Sequence, residues 1–514
     1  MAQGPRARAT LAHALRDKPH QLLAEHHVLS ARFTIHVVSH THWDRAWYWT
    51  LEQTRVRLVD LMDGLLELLE GEPRYRCFTL DGQTAMIDDY LAVRPEQERR
   101  LAKLARAGRL AVGPLFVLPD LFIPDGESLV RNLQRGAART AQLGGALELA
   151  YLPDPFGHPE QLPQVLSAFG LDGLLVARGL GDEGERLGSD FIWRAPDGSS
   201  VHVTHALGGG YCNLAGLGVA GEVDWGPRRG KGFARPAGNW TAPGDHDEQR
   251  ALARVARRIE DMGAYCPHGQ LLLMNGCDHR HPQPELPRLL DTVATKLGLR
   301  VAHDTPASYQ RAVRSVWQRA GAAPRAYRGE LRGGRYANLL SGVLSARVDI
   351  KLAHDRAERE LLRWAEPLSA LAAALDGGDD QRAQIAHAWR EVLLCQPHDD
   401  ICGCSVDGVH DDDHGRLRRA QQSAELLAER AARRVARVLD PGADERPQVV
   451  NPHPFRARAL LRTAAQRPLL VECPPLSVRP LDEVALASGA VAPPRATRVG
   501  DGAVAVENGA LSLS

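Results

Sequence analysis

His40, His42 and Asp44 stand in the stretch VVSHTHWDRAW, at the end of an apolar run. In an extended chain, residues two apart point the same way. His42 and Asp44 can therefore take one metal ion from a strand end, and nitrogen plus carboxylate ligation suits zinc or a similar divalent ion. Read alone, a buried polar cluster accounts for the same residues. Asp154 sits in YLPDPFGHPEQLP, where Pro155 disfavours the α region and holds it extended at a strand exit. Gly157 permits the sharp turn that follows. A plain Asp-Pro turn is the competing reading. Asp278, in LLLMNGCDHRH, follows another buried run and is a candidate proton donor or, equally, a helix N-cap. Arg178 ends the run LLVARG, as part of a site or of a surface ion pair worth little. In CQPHDDICGCSVDGVHDDD, two arrangements are open for His398 and Asp399. His398 joins Cys402 and Cys404 in a separate structural zinc site, or it reaches across to complete the strand-end site while the cysteines pack as small apolar groups.

The elements that must position these groups follow from the pattern of runs. From Phe33 to Ala302, short apolar stretches alternate with helical patterns: FTIHVVS, YRCFTL, RLAVG, LELAYL, DGLLVA, VHVTH, QLLLM and RVAH. Near-continuous apolar strands separated by helices indicate a parallel sheet covered on both faces. The expected fold is an α/β barrel-like catalytic domain of seven or eight mainly parallel strands, followed by a helical bundle and the start of a β-sandwich domain. The expected boundaries are a helical lead over 1–31, the catalytic domain over 32–320, the bundle over 321–440 and an incomplete β domain over 441–514. Gly208–Asp247, rich in Gly, Pro and Trp, reads as a long functional loop. His42 with Asp44, Asp154, Arg178 and Asp278 then fall after four different strands at one predicted end. A metal beside two further aspartates fits hydrolysis by paired carboxylates.

Through HTHWD, LPDPFGH, NGCD and HDDICGCSVDGVH, in that order, the chain resembles the zinc-dependent α-mannosidases of glycoside hydrolase family 38, on the bacterial branch that includes mannosylglycerate hydrolases. The resemblance implies a retaining α-mannosidase that cleaves terminal mannosides through a covalent glycosyl-aspartate. It implies Zn2+, or another divalent ion such as Co2+, on His42, Asp44, Asp154 and His398. It makes Asp154 the nucleophile and Asp278 the acid and base. Trp47 and Phe156 match aromatic positions of the sugar site, and Arg178 and Asp399 match polar residues near the sugar. Family members continue through large β domains, so the chain is expected to be a C-terminally truncated form. Two further functions remain open on the sequence: a non-catalytic remnant that binds metal or sugar, and a metal-dependent deacetylase or amidohydrolase on a similar barrel.

Composition bounds the partners. The chain has 514 residues, with 63 basic and 63 acidic side chains. Zero net charge argues against a nucleic-acid binder, which needs a basic surface, and against a polybasic membrane anchor. No run approaches the ~20 apolar residues that span a bilayer. The expected partner is a mannose-containing glycoside or oligosaccharide, with neither nucleic acid nor membrane; a homo-oligomer is compatible with the sequence. Eight cysteines are too sparse for a disulfide scaffold, so the expectation is a reduced, cytoplasmic protein.

Overall fold

The structure is a computed structural model that describes residues 33–145, 147–219, 246–321, 323–440, 446–462, 468–484, 495–499, 503–507 and 512–513. The expected helical lead over 1–31 and most of the Gly208–Asp247 loop lie outside these residues. Two compact units are present. The first runs up to Asp355 and includes Leu393–Arg416, and the second comprises Arg356–Val392 and the chain from Leu417 onward.

Ten strands are described in the first unit: β1 Thr34–Ser39, β2 Phe78–Thr79, β3 Leu110–Ala111, β4 Ala150–Leu152, β5 Gly173–Val176, β6 Asp190–Arg194, β7 Ser200–His205, β8 Gln270–Asn275, β9 Arg300–His303 and β10 Ala326–Tyr327. They pair in the orders β8-β1-β9, β2-β3 and β10-β6-β7-β5-β4. Every ladder is parallel except β6–β7. β1 is buried along most of its length because it has a parallel partner on either side. Helices supply the cover. Leu51–Gly71 opens on a capping box, with Gln53 accepting from the Thr50 N–H. It buries Leu58, Leu61, Leu65 and Leu69, a three- and four-residue spacing that makes one face. Pro306–Ala320 has Thr305 as N-cap, proline at its start and Gly321 at its end.

The α/β expectation holds, with two corrections. Among the described residues no ladder joins β7 to β8, so the hydrogen bonds do not close into a barrel. β6 and β10 are additional to the eight runs read from the sequence. β6 forms a hairpin with β7 through Pro196-Asp197-Gly198, where Gly198 lies at φ +93°. The boundary expected at 320/321 is also displaced. β10 pairs with β6, and the chain around His398 makes an isolated antiparallel bridge with the chain that follows β3 (Pro119 with Pro397), so both belong to the first unit.

In the helical region, Val348–Glu360, Glu366–Asp376, Arg382–Leu393 and Asp407–Leu439 are α-helices. In the second unit Leu368, Ala372, Ala431 and Val435 form a small core. Its strands pair antiparallel: Gln448–Asn451 with Ser477–Pro480, and Ala457–Arg462 with Pro468–Cys473. Among the described residues no helix is long and apolar enough to cross a membrane.

Candidate active site

The site forms where β1, β4, β5 and β8 end and the chain around His398 arrives. β1 and β8 pair in register up to Ser39 with Asn275, and a further parallel bridge joins His42 to Asp278. The His42 N–H donates to the Cys277 carbonyl and the His279 N–H to the His42 carbonyl. This extension sets Asp278 beside the HxD pair. It also explains the glycine of NGCD: a Cβ on Gly276 would stand 2.0 Å from the His40 carbonyl oxygen. β4 and β5 align Leu152 with Val176. Asp154 and Arg178, each two residues further on, therefore meet. Arg178 donates to Asp154 Oδ1 from Nε at 2.8 Å and from Nη2 at 2.5 Å. With its side chain 18% exposed, Arg178 is part of the site and not a surface ion pair. Gly157 takes φ +104°, the left-handed turn expected after Asp154.

His398 does reach across. Its N–H donates to the Leu118 carbonyl, and its ring Nδ1 lies 3.1 Å from the same oxygen, which turns Nε2 toward the carboxylates. His398 Nε2 is 3.3 Å from Asp154 Oδ2 and 3.5 Å from Asp44 Oδ1. His42 Nε2 is 3.0 Å from Asp44 Oδ1. All four side chains are buried. Yet His42 Nε2, Asp44 Oδ1 and His398 Nε2 make no hydrogen bond among the described residues. Buried polar atoms are ordinarily paired, and buried lone pairs aimed at one another suit a shared cation. The donor set, two imidazoles and two carboxylates, fits zinc or a similar divalent ion. The separate zinc site of His398 with Cys402 and Cys404 is not formed; those sulfurs cluster with Asp399 instead.

The two aspartates expected to share the chemistry have opposite environments. Burial works against charge on Asp154, but Arg178 and His398 hold its carboxyl well below the usual range. Burial, with the Asp44 carboxylate next, pushes Asp278 up to about 6. One carboxylate is ionised and its neighbour is poised to carry a proton, a division of roles set by environment. Phe156 packs edge-on against His398, with ring centres 5.6 Å apart. Asp399 is buried and accepts from Cys404 Sγ at 2.9 Å. Trp47 packs at a tilt against Tyr48, with ring centres 4.1 Å apart. A small cleft beside the metal-type cluster is lined by Trp43, Asp44, Gln83, His398 and Asp399, and not by Trp47.

Five residues around the site were not anticipated. Asp81 lies 3.4 Å from His42 Nδ1 and also accepts from the Trp43 N–H and Gln83. It directly follows Leu80 of the run YRCFTL, so an acid at that strand end was the available signal. Tyr211 donates to Asp154 Oδ1 at 2.9 Å. It comes from the Gly208–Asp247 loop, whose composition marked the segment but not the residue. His279 approaches Asp44 Oδ2 at 3.3 Å and sits at φ +54°, an uncommon backbone state that concentrates at functional sites. Cys212 and Cys277, neighbours of Tyr211 and Asp278, form a disulfide, which corrects the expectation of a fully reduced chain.

Residues 32–330 match the glycosyl hydrolases family 38 N-terminal domain, and 338–435 match the alpha mannosidase middle domain. The chain belongs to glycosyl hydrolase family 38. It is 31% identical over 422 residues to the "Putative mannosylglycerate hydrolase" of Halalkalibacterium halodurans, covering 78% of this chain and 43% of that protein. Human alpha-mannosidase 2C1 is 26% identical, covering 74% of this chain and 33% of the human protein. The crystal structure of an alpha-mannosidase from Enterococcus faecalis superposes with a TM-score of 0.72 at 29% identity, covering 84% of this chain and 46% of that one. The chain thus spans less than half the length of these relatives.

Proposed function

We propose that this chain carries the catalytic centre of a retaining α-mannosidase that uses one divalent metal ion. The observation that carries the reading is the convergence of His42, Asp44, Asp154 and His398 beside Asp278, with lone pairs unsatisfied in the first cluster and a raised pKa on the last. Family membership supports a mannoside as the substrate. His42, Asp44, Asp154 and His398 would hold the ion, which when bound supplies a Lewis-acidic anchor for sugar hydroxyls.

The protein groups account for the bond changes. Arg178 and Tyr211 fix Asp154 through Oδ1, so its carboxylate is oriented and kept ionised. Asp154 attacks the anomeric carbon and forms a glycosyl ester. Asp278 gives its proton to the departing glycosidic oxygen as the carbon–oxygen bond breaks. Asp278, now a carboxylate, takes a proton from water, which attacks the same carbon and releases Asp154. Both displacements invert, so configuration is retained. A cytoplasmic location remains part of this reading; the Cys212–Cys277 disulfide weighs against it.

The test is trapping with a fluorinated, activated mannoside followed by peptide mass analysis. A sugar adduct on the peptide carrying Asp154 is the expected result. Hydrolysis of an aryl α-mannoside that first releases the β anomer would overturn the mechanism. A folded, metal-loaded chain with no turnover would favour a binding remnant.

A further inference from the structure

Cys402 and Cys404 flank Gly403, directly after the His398–Asp399 pair. Gly403 lies at φ +84°, in the left-handed region that glycine tolerates, and the turn brings both thiols to one side of the chain. Their sulfurs are 3.3 Å apart, about 1.3 Å beyond a disulfide bond. Cys402 is buried and Cys404 exposed, whereas Cys77, Cys266, Cys395 and Cys473 are all buried. Cys404 Sγ also donates to Asp399 Oδ1 at 2.9 Å. Asp399 in turn shares a close cluster of ligand-type atoms with Asp44 and His398.

We propose that Cys402 and Cys404 are a reversible redox modification site whose oxidised form withdraws the thiol donor from Asp399. The oxidant is a low-molecular-weight disulfide. The sulfur of exposed Cys404 attacks it, forms a mixed disulfide and expels one thiol. Cys402 then attacks Cys404 Sγ and expels the second thiol. The two cysteines lose two hydrogens and two electrons, and the external disulfide gains them as two thiols. The closed pair has no S–H to offer, so Asp399 loses the contact that orients it beside the metal-type cluster. One lost hydrogen bond corresponds to roughly a tenfold change. Exchange proceeds through the thiolate, which the neighbouring Cys402 sulfur and burial disfavour at Cys404, so closure takes hours.

The effect on turnover rests on the hydrolase reading; closure of the bond does not. The zinc-loaded full chain is equilibrated with oxidised glutathione, and the peptide carrying both cysteines is weighed after alkylation. The expected peptide is unalkylated and about 2 Da lighter than its dithiol form, and dithiothreitol reverses the change. Turnover of an aryl mannoside and zinc retention against a chelator both weaken about tenfold in the oxidised protein. Neither responds to oxidant in Cys404→Ser. Thiols that remain alkylated after oxidation overturn the proposal, as does a closed disulfide that alters neither turnover nor zinc retention. A reduced chain without turnover would count against the hydrolase reading alone, and the mass and zinc readouts would still decide this one.

Discussion

Two of the buried acid–imidazole clusters described in the first unit are built on opposite terms. Asp190 receives five donors: His202 and Thr204 on Oδ1, and His268, Tyr309 and Ser189 on Oδ2, at 2.7–3.1 Å. Burial opposes its charge, yet the hydrogen bonds from His202 and His268 hold its carboxyl well below the usual range. At the strand ends, His42, Asp44 and His398 are equally buried but leave ligand atoms without hydrogen bonds. A saturated network specifies and rigidifies a core. An unsaturated one has ligand atoms left over for a bound ion. Composition alone does not separate the two clusters; the count of satisfied lone pairs does.

Substitutions should separate them in the same way. The largest effect is expected at Asp154. Asp154→Asn should lower turnover of an aryl mannoside by on the order of 10^4-fold or more while the thermal transition stays cooperative. Asp278→Asn comes next, with a loss of ~10²–10⁴-fold that shrinks as the leaving group becomes more acidic. A series of aryl mannosides of graded acidity measures it. At the saturated cluster the loss is in stability. Asp190→Ala strands two buried imidazoles and should cost about 3–5 kcal/mol in denaturant melts, with the turnover of the folded fraction kept. A fall in turnover as large as that of Asp154→Asn would erase the distinction.

Smaller effects sharpen the comparison. Asp81→Asn disturbs the partner of His42 Nδ1 and should weaken metal affinity by ~10–100-fold, read by chelator competition. Asp278 must be protonated to act as the acid, and burial places it near 6. Turnover should therefore fall as pH rises through about 6, by up to tenfold per unit. The Asp190 carboxyl is depressed, so its stabilising contribution is present above the unfolded carboxylate range and is lost as pH falls through the lower folded value. Acid melts of the wild type should show that loss, and those of Asp190→Asn should not.

Much of this was legible in the sequence, for physical reasons. β1 and β5 each lie between two strands, β8 is buried beside β1, and all three read as near-continuous apolar runs. Polar residues that directly follow such runs had to lie at one end of a parallel sheet, so His42, Asp44, Asp154, Arg178 and Asp278 could be grouped before any contact was known. β6 escaped because its residues, DFIWR, mix charged with apolar side chains. Its partner across the Asp197-Gly198 turn was the only cue. Tyr211 escaped because a loop has no periodicity to say which side chain turns inward. The disulfide escaped because its cysteines lie 65 residues apart and meet only through the fold.

Metal stoichiometry tests the contrast between the two clusters most directly. The purified chain, dialysed against low zinc, should retain one ion per molecule by elemental analysis. His42→Ala and His398→Ala should lose that ion, and Asp190→Asn should keep it. A folded wild-type chain that retains no ion, or a His42→Ala chain that binds one as tightly as the wild type, would contradict the account.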